Sequence, residues 1–145
     1  MKLKPELFII ALLIVAAIMF FGPWLLNLFG IINYEPPMSQ TPDNVVQIDL
    51  LEYERGEFRT LHSLGGEEIS PFMDYFLELD AKRYANDPPT EYGKFVIRLC
   101  YADGGYDLLG GMVEFFSSSG ESINPKGWYY LRSSDLDELF TRYLP

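Results

Sequence analysis

The sequence predicts an α+β domain behind an N-terminal transmembrane helix. Three observations support this fold class: a long apolar run near the N-terminus, segments in which apolar and polar residues alternate, and two segments with an apolar stripe at helical spacing. The predicted order of the domain is β-β-α-β-β-β-α, packed as an antiparallel five-stranded sheet with two helices on one face. The chain divides into a cytoplasmic tail (1–6), a transmembrane anchor (7–32), a Pro-rich linker (33–44) and an extracytoplasmic α+β domain (45–145).

The apolar run is predicted to be an uncleaved membrane anchor. No Asp, Glu, Lys or Arg occurs from Leu7 to Tyr34, and this run exceeds the roughly 20 residues that cross a bilayer core. A signal peptide ends at a small-x-small cleavage site in polar surroundings. The best such tripeptide, VAA at 15–17, is followed by further apolar residues, which argues against cleavage.

Charge sets the predicted orientation of the anchor. Lys2 and Lys4 precede the apolar run, and the first charge after it is Glu35. Basic residues are retained on the cytoplasmic side of a membrane. The N-terminus is therefore expected in the cytoplasm and the domain outside.

Gly22 and Pro23 divide the anchor and leave two interpretations. The favoured one is a single long, tilted and kinked helix from about Leu7 to Ile32, since Asn27 is the one polar side chain after the proline. The alternative is a span that ends near Gly22, followed by a short interfacial helix that carries an aromatic residue at the headgroup level.

Residues 33–44 are predicted to form a linker. Their sequence, NYEPPMSQTPDN, contains three prolines and few apolar residues, which is typical of a semi-extended segment. Such a spacer would hold the domain a few tens of ångströms from the membrane. A fragment that begins near Thr41 is accordingly predicted to fold on its own.

The first half of the domain is predicted as a hairpin followed by a helix. Val45–Tyr53 and Phe58–Leu64 alternate as strands around the turn at Arg55-Gly56. A helix is expected to begin at Ser70, with Pro71 in its first turn, and to continue to about residue 84. Asp80 falls inside the apolar stripe of this helix; either its carboxylate reaches solvent at the edge of the stripe or it is a buried acid with a raised pKa.

The second half is predicted as three strands and a helix. Phe95–Tyr101 and Tyr106–Phe116 flank an Asp103-Gly104 turn, and Gly110-Gly111 indicates a bulge in the second of these strands. Residues 86–89 form a loop before them, and Trp128–Leu131 has the residue types of a fifth strand. The last helix is predicted to start at the Ser134 cap and to bury an apolar stripe comprising Leu136, Leu139, Phe140, Tyr143 and Leu144.

Composition excludes some classes of partner. The chain of 145 residues has 11 basic and 21 acidic side chains, giving a net charge of −10. An acidic surface repels phosphate backbones, so no nucleic acid partner is expected. Cys100 is the only cysteine; it cannot form an intramolecular disulfide and is predicted to be a small buried hydrophobe.

No catalytic, cofactor-binding or metal residues are predicted. His62 is the only histidine, is expected on a surface or edge strand, and has no second base or ligand beside it in sequence. Glu67-Glu68 precedes a predicted helix, where acidic side chains favour the helix dipole. The segment Asp103–Asp107 lacks the alternating oxygen ligands of a calcium loop.

Aromatic residues are the one unusual feature of the predicted surface. Trp128, Tyr129 and Tyr130 occupy successive positions of a strand, so at least one ring points away from the helices. Exposed aromatic rings beside polar groups suit glycan or peptide binding. Alternatively, such rings form cross-strand pairs that serve stability alone.

The layout resembles uncharacterised N-terminally membrane-anchored extracytoplasmic domains of Gram-positive bacteria. The features that carry the resemblance are the Arg55-Gly56 and Asp103-Gly104 turns, the aromatic strand 128–131 and the Ser134–Asp137 cap. The resemblance implies a fold and a location but no activity. The sequence therefore suggests a non-enzymatic binding or sensing module that contacts lipid through its anchor and a protein or cell-wall partner through its domain; the alternative is an accessory or immunity-type subunit of a membrane protein complex.

Overall fold

The computed structural model describes residues 4–28, 32–84, 90–123 and 128–145. The predicted loop at 86–89, the tail residues 1–3 and the anchor residues 29–31 lie outside these ranges. The N-terminal helix, α1, spans Pro5–Leu28 and continues through Gly22 and Pro23 without a break. Its window Pro5–Leu26 has a mean hydropathy of 2.6 and is 0% buried, so α1 is long and apolar enough to cross a membrane.

Beyond α1, the described residues form an α+β domain with a large and a small antiparallel sheet. The large sheet has six strands: β1 (Val45–Glu54), β2 (Glu57–Gly65), β4 (Phe95–Tyr101), β5 (Tyr106–Leu109), β6 (Val113–Phe116) and β7 (Ser122–Ile123). Their spatial order is β2-β1-β4-β5-β6-β7. The small sheet pairs β3 (Ala81–Arg83) with β8 (Tyr129–Leu131). Two further helices are α2 (Ile69–Leu77) and α3 (Ser133–Tyr143).

Local turn chemistry places the two predicted hairpins where expected. Arg55 and Gly56 both have positive φ, 54° and 83°, the conformation that a two-residue hairpin turn requires. Asp103 accepts a hydrogen bond at 2.8 Å from the Gly105 N–H and so closes the turn between β4 and β5. Strand pairing of β1 with β4 shifts between Val45 and Gln47, which buries Val45 and exposes the residue that follows it.

The helices pack on one face of the large sheet, here called the inner face. Alternate residues of the central strands meet the apolar stripes of both helices in one core. The largest fully buried side chains include Phe72 and Phe76 of α2, Phe140 of α3, and Ile48, Leu50, Ile97 and Leu99 of the sheet. Burial of these side chains is the main stabilising contribution to the domain.

The prediction that residues 128–131 form the fifth strand of the large sheet is wrong. Residues 129–131 pair with β3, not with the large sheet. The helix predicted to reach residue 84 ends at Leu77, because Ala81 instead exchanges backbone hydrogen bonds with neighbouring extended segments. The large sheet has six strands because residues 106–116 form two strands, β5 and β6, and because β7 is added at its edge.

Gly110 and Gly111 form a turn, not the predicted bulge. They separate β5 from β6, so the single strand expected over 106–116 becomes a hairpin. The Gly111 N–H donates to the Tyr92 carbonyl at 2.7 Å. A Cβ at Gly110 would lie 2.8 Å from that same carbonyl oxygen, so this close approach requires glycine.

Residues 33–44, predicted as a linker, contact the domain and are called the strap below. Tyr34 exchanges two backbone hydrogen bonds with Ala81, at 2.9 and 2.8 Å. Met38 packs against the core, and Ser39 donates through its N–H and its hydroxyl to the Asp107 carboxylate, at 2.8 and 2.5 Å. The Gln40 side-chain amide then donates a hydrogen bond to the Asp103 carboxylate at the β4–β5 turn. The strap therefore runs from the small sheet to the opposite end of the large one.

Candidate functional site

The face of the large sheet opposite the helices is called the outer face. Within the described residues, its apolar side chains form a second cluster that contains no helical residue. Strand register assigns to this face the residues Gln47, Asp49, Leu51, Tyr53, Phe58, Thr60, Ser63, Val96, Arg98, Cys100, Tyr106, Leu108, Glu114 and Phe116. A sheet face with this many half-exposed aromatic and polar groups is a candidate binding surface.

An ion pair between Asp49 and Arg98 lies at the centre of the outer face, and neutral side chains donate hydrogen bonds to its carboxylate. The Arg98 Nε donates to Asp49 Oδ2 at 2.8 Å, and a second guanidinium nitrogen lies 2.7 Å from the same oxygen. Asp49 Oδ1 accepts from the Ser63 hydroxyl at 2.7 Å and from the Gln47 amide at 2.8 Å. The Asp49 side chain is 1% exposed, whereas that of Arg98 is 35% exposed. The carboxylate thus fixes a guanidinium that solvent still reaches.

Hydrogen bonding sets the ionisation of Asp49. Burial acts to raise the pKa of this carboxyl, but the hydrogen bonds from Ser63, Gln47 and Arg98, with the charge of Arg98, outweigh burial and hold the pKa below its usual value. A lowered pKa in the folded state stabilises the fold above the unfolded pKa, and this contribution disappears as pH falls through the lowered value. Asp49 is therefore ionised at neutral pH and acts as an orienting group.

Two aromatic clusters flank the charge pair. At one end, Tyr106 and Phe116 stack with ring centroids 4.8 Å apart and planes inclined by 15°. At the other end, Tyr53, Phe58 and Tyr92 form a triangle with centroid separations of 4.9, 5.5 and 5.3 Å. The buried side chains of Leu51, Val96 and Leu108 lie between the two clusters. The outer face thus combines aromatic, apolar and cationic contacts.

A cleft of about 400 Å³ adjoins the aromatic triangle. Tyr92, Phe95 and Tyr130 supply aromatic walls, and Ser133 and Ser134 in the first turn of α3 supply hydroxyl groups. Tyr92 belongs to both the cleft and the outer face, so the two surfaces are continuous. Nothing in the local sequence indicates this cleft, because three distant segments form it.

The two candidates for nucleophilic chemistry are separated. His62 pairs with Leu50 and so belongs to the inner-face register of edge strand β2, whereas Cys100 pairs with Gln47 on the outer face. Cys100 is half-buried, not fully buried as predicted, because the strand alternation turns it away from the core. Burial raises the pKa of its thiol, which disfavours the reactive thiolate. The sheet itself therefore keeps the histidine and the thiol apart.

Carboxylates do not assemble into a metal site among the described residues. There, no group of three or more His, Cys, Asp or Glu side chains could hold a metal ion. Glu67 and Glu68 lie in a short 3-10 turn before α2, and the Glu68 carboxylate accepts the Gly65 N–H at 3.1 Å. Asp103 serves the hairpin turn, and Asp107 is fully buried on the inner face.

The buried acids are not the one that the sequence singled out. Asp80 lies beyond the end of α2 and is half-exposed, whereas Asp49 and Asp107 are 1% and 0% exposed. Asp107 lies two residues before Leu109, so strand alternation places both on the inner face. An acidic residue at a core position of a strand is the sequence signal that could have identified the buried acid. The Arg98 site has a weaker signal, since its pairing with Asp49 depends on the register of two strands that are distant in sequence.

The aromatic run 128–130 forms part of the small sheet. Trp128 is 48% exposed. Tyr129 packs edge to face against Tyr34 of the strap at 5.6 Å, and Tyr130 contacts Tyr84 at 4.5 Å. None of these rings therefore lies on the outer face of the large sheet, where at least one of them was expected. In comparisons with protein-family models, curated protein sequences and solved structures, no match to the chain is found.

Proposed function

We propose that this chain is a membrane-anchored, extracytoplasmic binding or sensing module and that the outer face is its recognition surface. The single observation that carries the proposal is the fixed, part-exposed Arg98 guanidinium between two aromatic clusters. A guanidinium donates to carbonyl, hydroxyl or carboxylate oxygens, and aromatic rings supply large contact areas with little loss of conformational freedom. A protein or a cell-wall component offers this chemistry.

The proposal assigns no enzymatic activity. Asp49 uses both carboxylate oxygens to hold Arg98, Ser63 and Gln47, so it is an orienting group and not a general base. The thiol of Cys100 is disfavoured as a nucleophile by its raised pKa. Binding is the activity that these groups support.

The location outside the cytoplasm rests on charge and on resemblance. Lys2 and Lys4 precede α1, and the first charged residue after α1 is Glu35. The similarity to membrane-anchored domains of Gram-positive bacteria, noted from turn and cap residues, supports the same location. Protease added to intact cells from which the wall has been removed should digest the domain; full protection of the domain would reverse the orientation.

Site-specific crosslinking in the source cells tests the recognition surface. A photoreactive phenylalanine at Tyr106 should give an adduct, because this ring is half-exposed beside Arg98. The matched control is the same group at Glu138, an exposed position of α3, which should give none. Phe116→Ala removes the stacking partner and should reduce the adduct from position 106. Equal adducts from the two positions would refute the outer face as the binding surface.

Sedimentation and crosslinking together distinguish the two classes of ligand from each other and from the alternative function. Sedimentation of the detergent-solubilised chain with purified cell-wall polymer, with loss on Arg98→Ala, would indicate a wall component. A protein adduct from position 106 would indicate a protein ligand. An accessory subunit would instead crosslink through the anchor, for example from Phe20, which is 83% exposed on α1, with no adduct from position 106.

A further inference from the structure

One face of the small sheet lies opposite the core, and part of it packs on the large sheet, where the Tyr84 hydroxyl donates to the Gly111 carbonyl at 3.2 Å. Cross-strand pairs share a face, so Ala81 and Leu131 point into the core while Lys82 and Tyr130 lie on the opposite, outward face, where Lys82 is buried at 7% exposure and Tyr130 is half-buried. Tyr84 contacts Tyr130 on this outward face, with ring centroids 4.5 Å apart. Strand alternation assigns Trp128 to the same face, and its side chain is 48% exposed.

The strap brings this face close to the end of the anchor. Lys82 donates from Nζ to the Asn33 side-chain oxygen, and Asn33 is the residue that directly follows the apolar run. Helix α1 ends at Leu28, five residues earlier, and five residues span at most about 18 Å. Tyr34, the next residue, is held to Ala81 by two backbone hydrogen bonds. Asn33, and with it the edge of the small sheet, therefore lies within about 18 Å of the end of α1.

The length of α1 places the end of the helix near the headgroups. Its 24 residues extend about 36 Å at 1.5 Å per residue, which exceeds a hydrocarbon core of about 30 Å. The apolar run continues in sequence to Ile32, so Asn33 follows the last residue that favours the membrane. If α1 spans the membrane, this length places Asn33 and its partner Lys82 at the level of the headgroups.

We infer that the outward face of the small sheet, through the rings of Tyr84, Trp128 and Tyr130, rests on the lipid headgroup layer of the membrane that holds the anchor. Trp and Tyr are the residues that favour this layer, because one part of each ring is apolar and another forms hydrogen bonds. The Lys82 ammonium is engaged by Asn33, so the contact does not depend on anionic lipid. The inference rests on the membrane anchoring that forms part of the proposed function.

Fluorescence quenching by lipid tests this contact directly. The chain has two tryptophans, Trp24 in α1 and Trp128, so Trp24→Phe leaves Trp128 as the only one. The full-length variant is reconstituted into phosphatidylcholine vesicles with a nitroxide on the lipid headgroup. Trp128 is expected to emit at shorter wavelength than in water and to lose most of its fluorescence to the headgroup nitroxide, with no change when salt is added.

A matched control moves the tryptophan to the far end of the strap. The variant Trp24→Phe/Trp128→Phe/Ala102→Trp carries its one tryptophan at the exposed β4–β5 turn, beside Asp103. This tryptophan should be quenched little. Equal quenching of the tryptophans at 128 and 102, or none at 128, would overturn the inference, provided that circular dichroism shows both variants folded.

A third variant separates this inference from the anchoring on which it rests. Trp128→Phe leaves Trp24 alone in α1, and a nitroxide on the lipid acyl chain should quench it if α1 is in the bilayer. Quenched Trp24 with unquenched Trp128 would refute the headgroup contact and leave the anchor intact. Unquenched Trp24 would refute the anchor, and the headgroup contact with it.

Discussion

Asp107 gives the sharpest prediction from this structure, because it is a buried carboxylate held by neutral donors. The side chain is 0% exposed, and among the ion pairs of the described residues none includes it. Its oxygens accept from the Ser39 N–H and hydroxyl and from the Tyr101 hydroxyl. Burial raises the pKa of Asp107, and these hydrogen bonds offset only part of the effect.

Asp107→Asn is expected to leave the fold at least as stable as the wild type at pH 7. The retained oxygen still accepts from the Ser39 N–H and the Tyr101 hydroxyl, and the new amide can donate to the Ser39 hydroxyl, so no hydrogen bond is lost. What is lost is an ionisable group whose charged form is disfavoured by burial. Asp107→Ala, by contrast, leaves the buried Tyr101 hydroxyl without an acceptor and should destabilise the fold by about 1–3 kcal/mol.

The pH dependence of this difference tests the reasoning. An acid whose folded pKa is raised stabilises the fold at low pH, and this stability is lost as pH rises from the unfolded value towards the folded one. Urea unfolding of the full chain in detergent, followed by circular dichroism, should therefore show the wild type losing stability relative to Asp107→Asn as pH rises above 3.8. The slope is at most about 1.4 kcal/mol per pH unit for one proton. A wild type that gains on the variant as pH rises would refute the argument.

Three further predictions concern the core, the outer face and the strap. Leu139→Ala and Phe140→Ala should each destabilise the fold by about 2–5 kcal/mol, because both side chains are at most 1% exposed, whereas Glu138→Ala should have little effect in the same urea titration. Arg98→Ala should destabilise the fold by about 2–3 kcal/mol, which is less than the loss expected when a fully buried ion pair is broken, because Arg98 is part-exposed. In a double-mutant cycle, Asp49→Ala/Arg98→Ala should recover some of that loss, and simple additivity of the two single effects would contradict the pairing. A fragment of residues 33–145 should unfold cooperatively in a thermal melt, and a fragment of residues 45–145 should melt at lower temperature or not fold, since it lacks Tyr34, Met38 and Ser39; identical melts would show that the strap contributes nothing.

Local chemistry explains which parts of the fold the sequence predicts. The turns at Arg55-Gly56 and Asp103-Gly104 depend on residues within the turns themselves, and the apolar stripe of α3 repeats at helical spacing over its whole length. These features need no distant partner. The sequence therefore predicts an α+β domain, the β1–β2 and β4–β5 hairpins and an N-terminal apolar helix, and the structure contains all of these.

Long-range pairing explains what the sequence misses. Residues 129–131 have strand-forming side chains, but three residues cannot specify which of several strands they join, and the choice of β3 depends on Ala81 and Leu131 sharing the core. The strap is rich in proline, which suggested a spacer, yet its few apolar residues and Ser39 find partners in β5 and the small sheet. The Asp49–Arg98 centre likewise exists only once β1 and β4 are in register.

The strap also determines how the molecule responds to mechanical load. Force applied between α1 and the domain acts on the strap before it acts on the sheet. It first loads the Asn33–Lys82 and Tyr34–Ala81 contacts and then those of Ser39 to Asp107. When these contacts break, the residues from Asn33 to Asn44 are released and can extend by about 40 Å, while β1 remains paired with β2 and β4. Force between α1 and the domain therefore acts first on the contacts of the strap and only afterwards on the strand pairs of the large sheet.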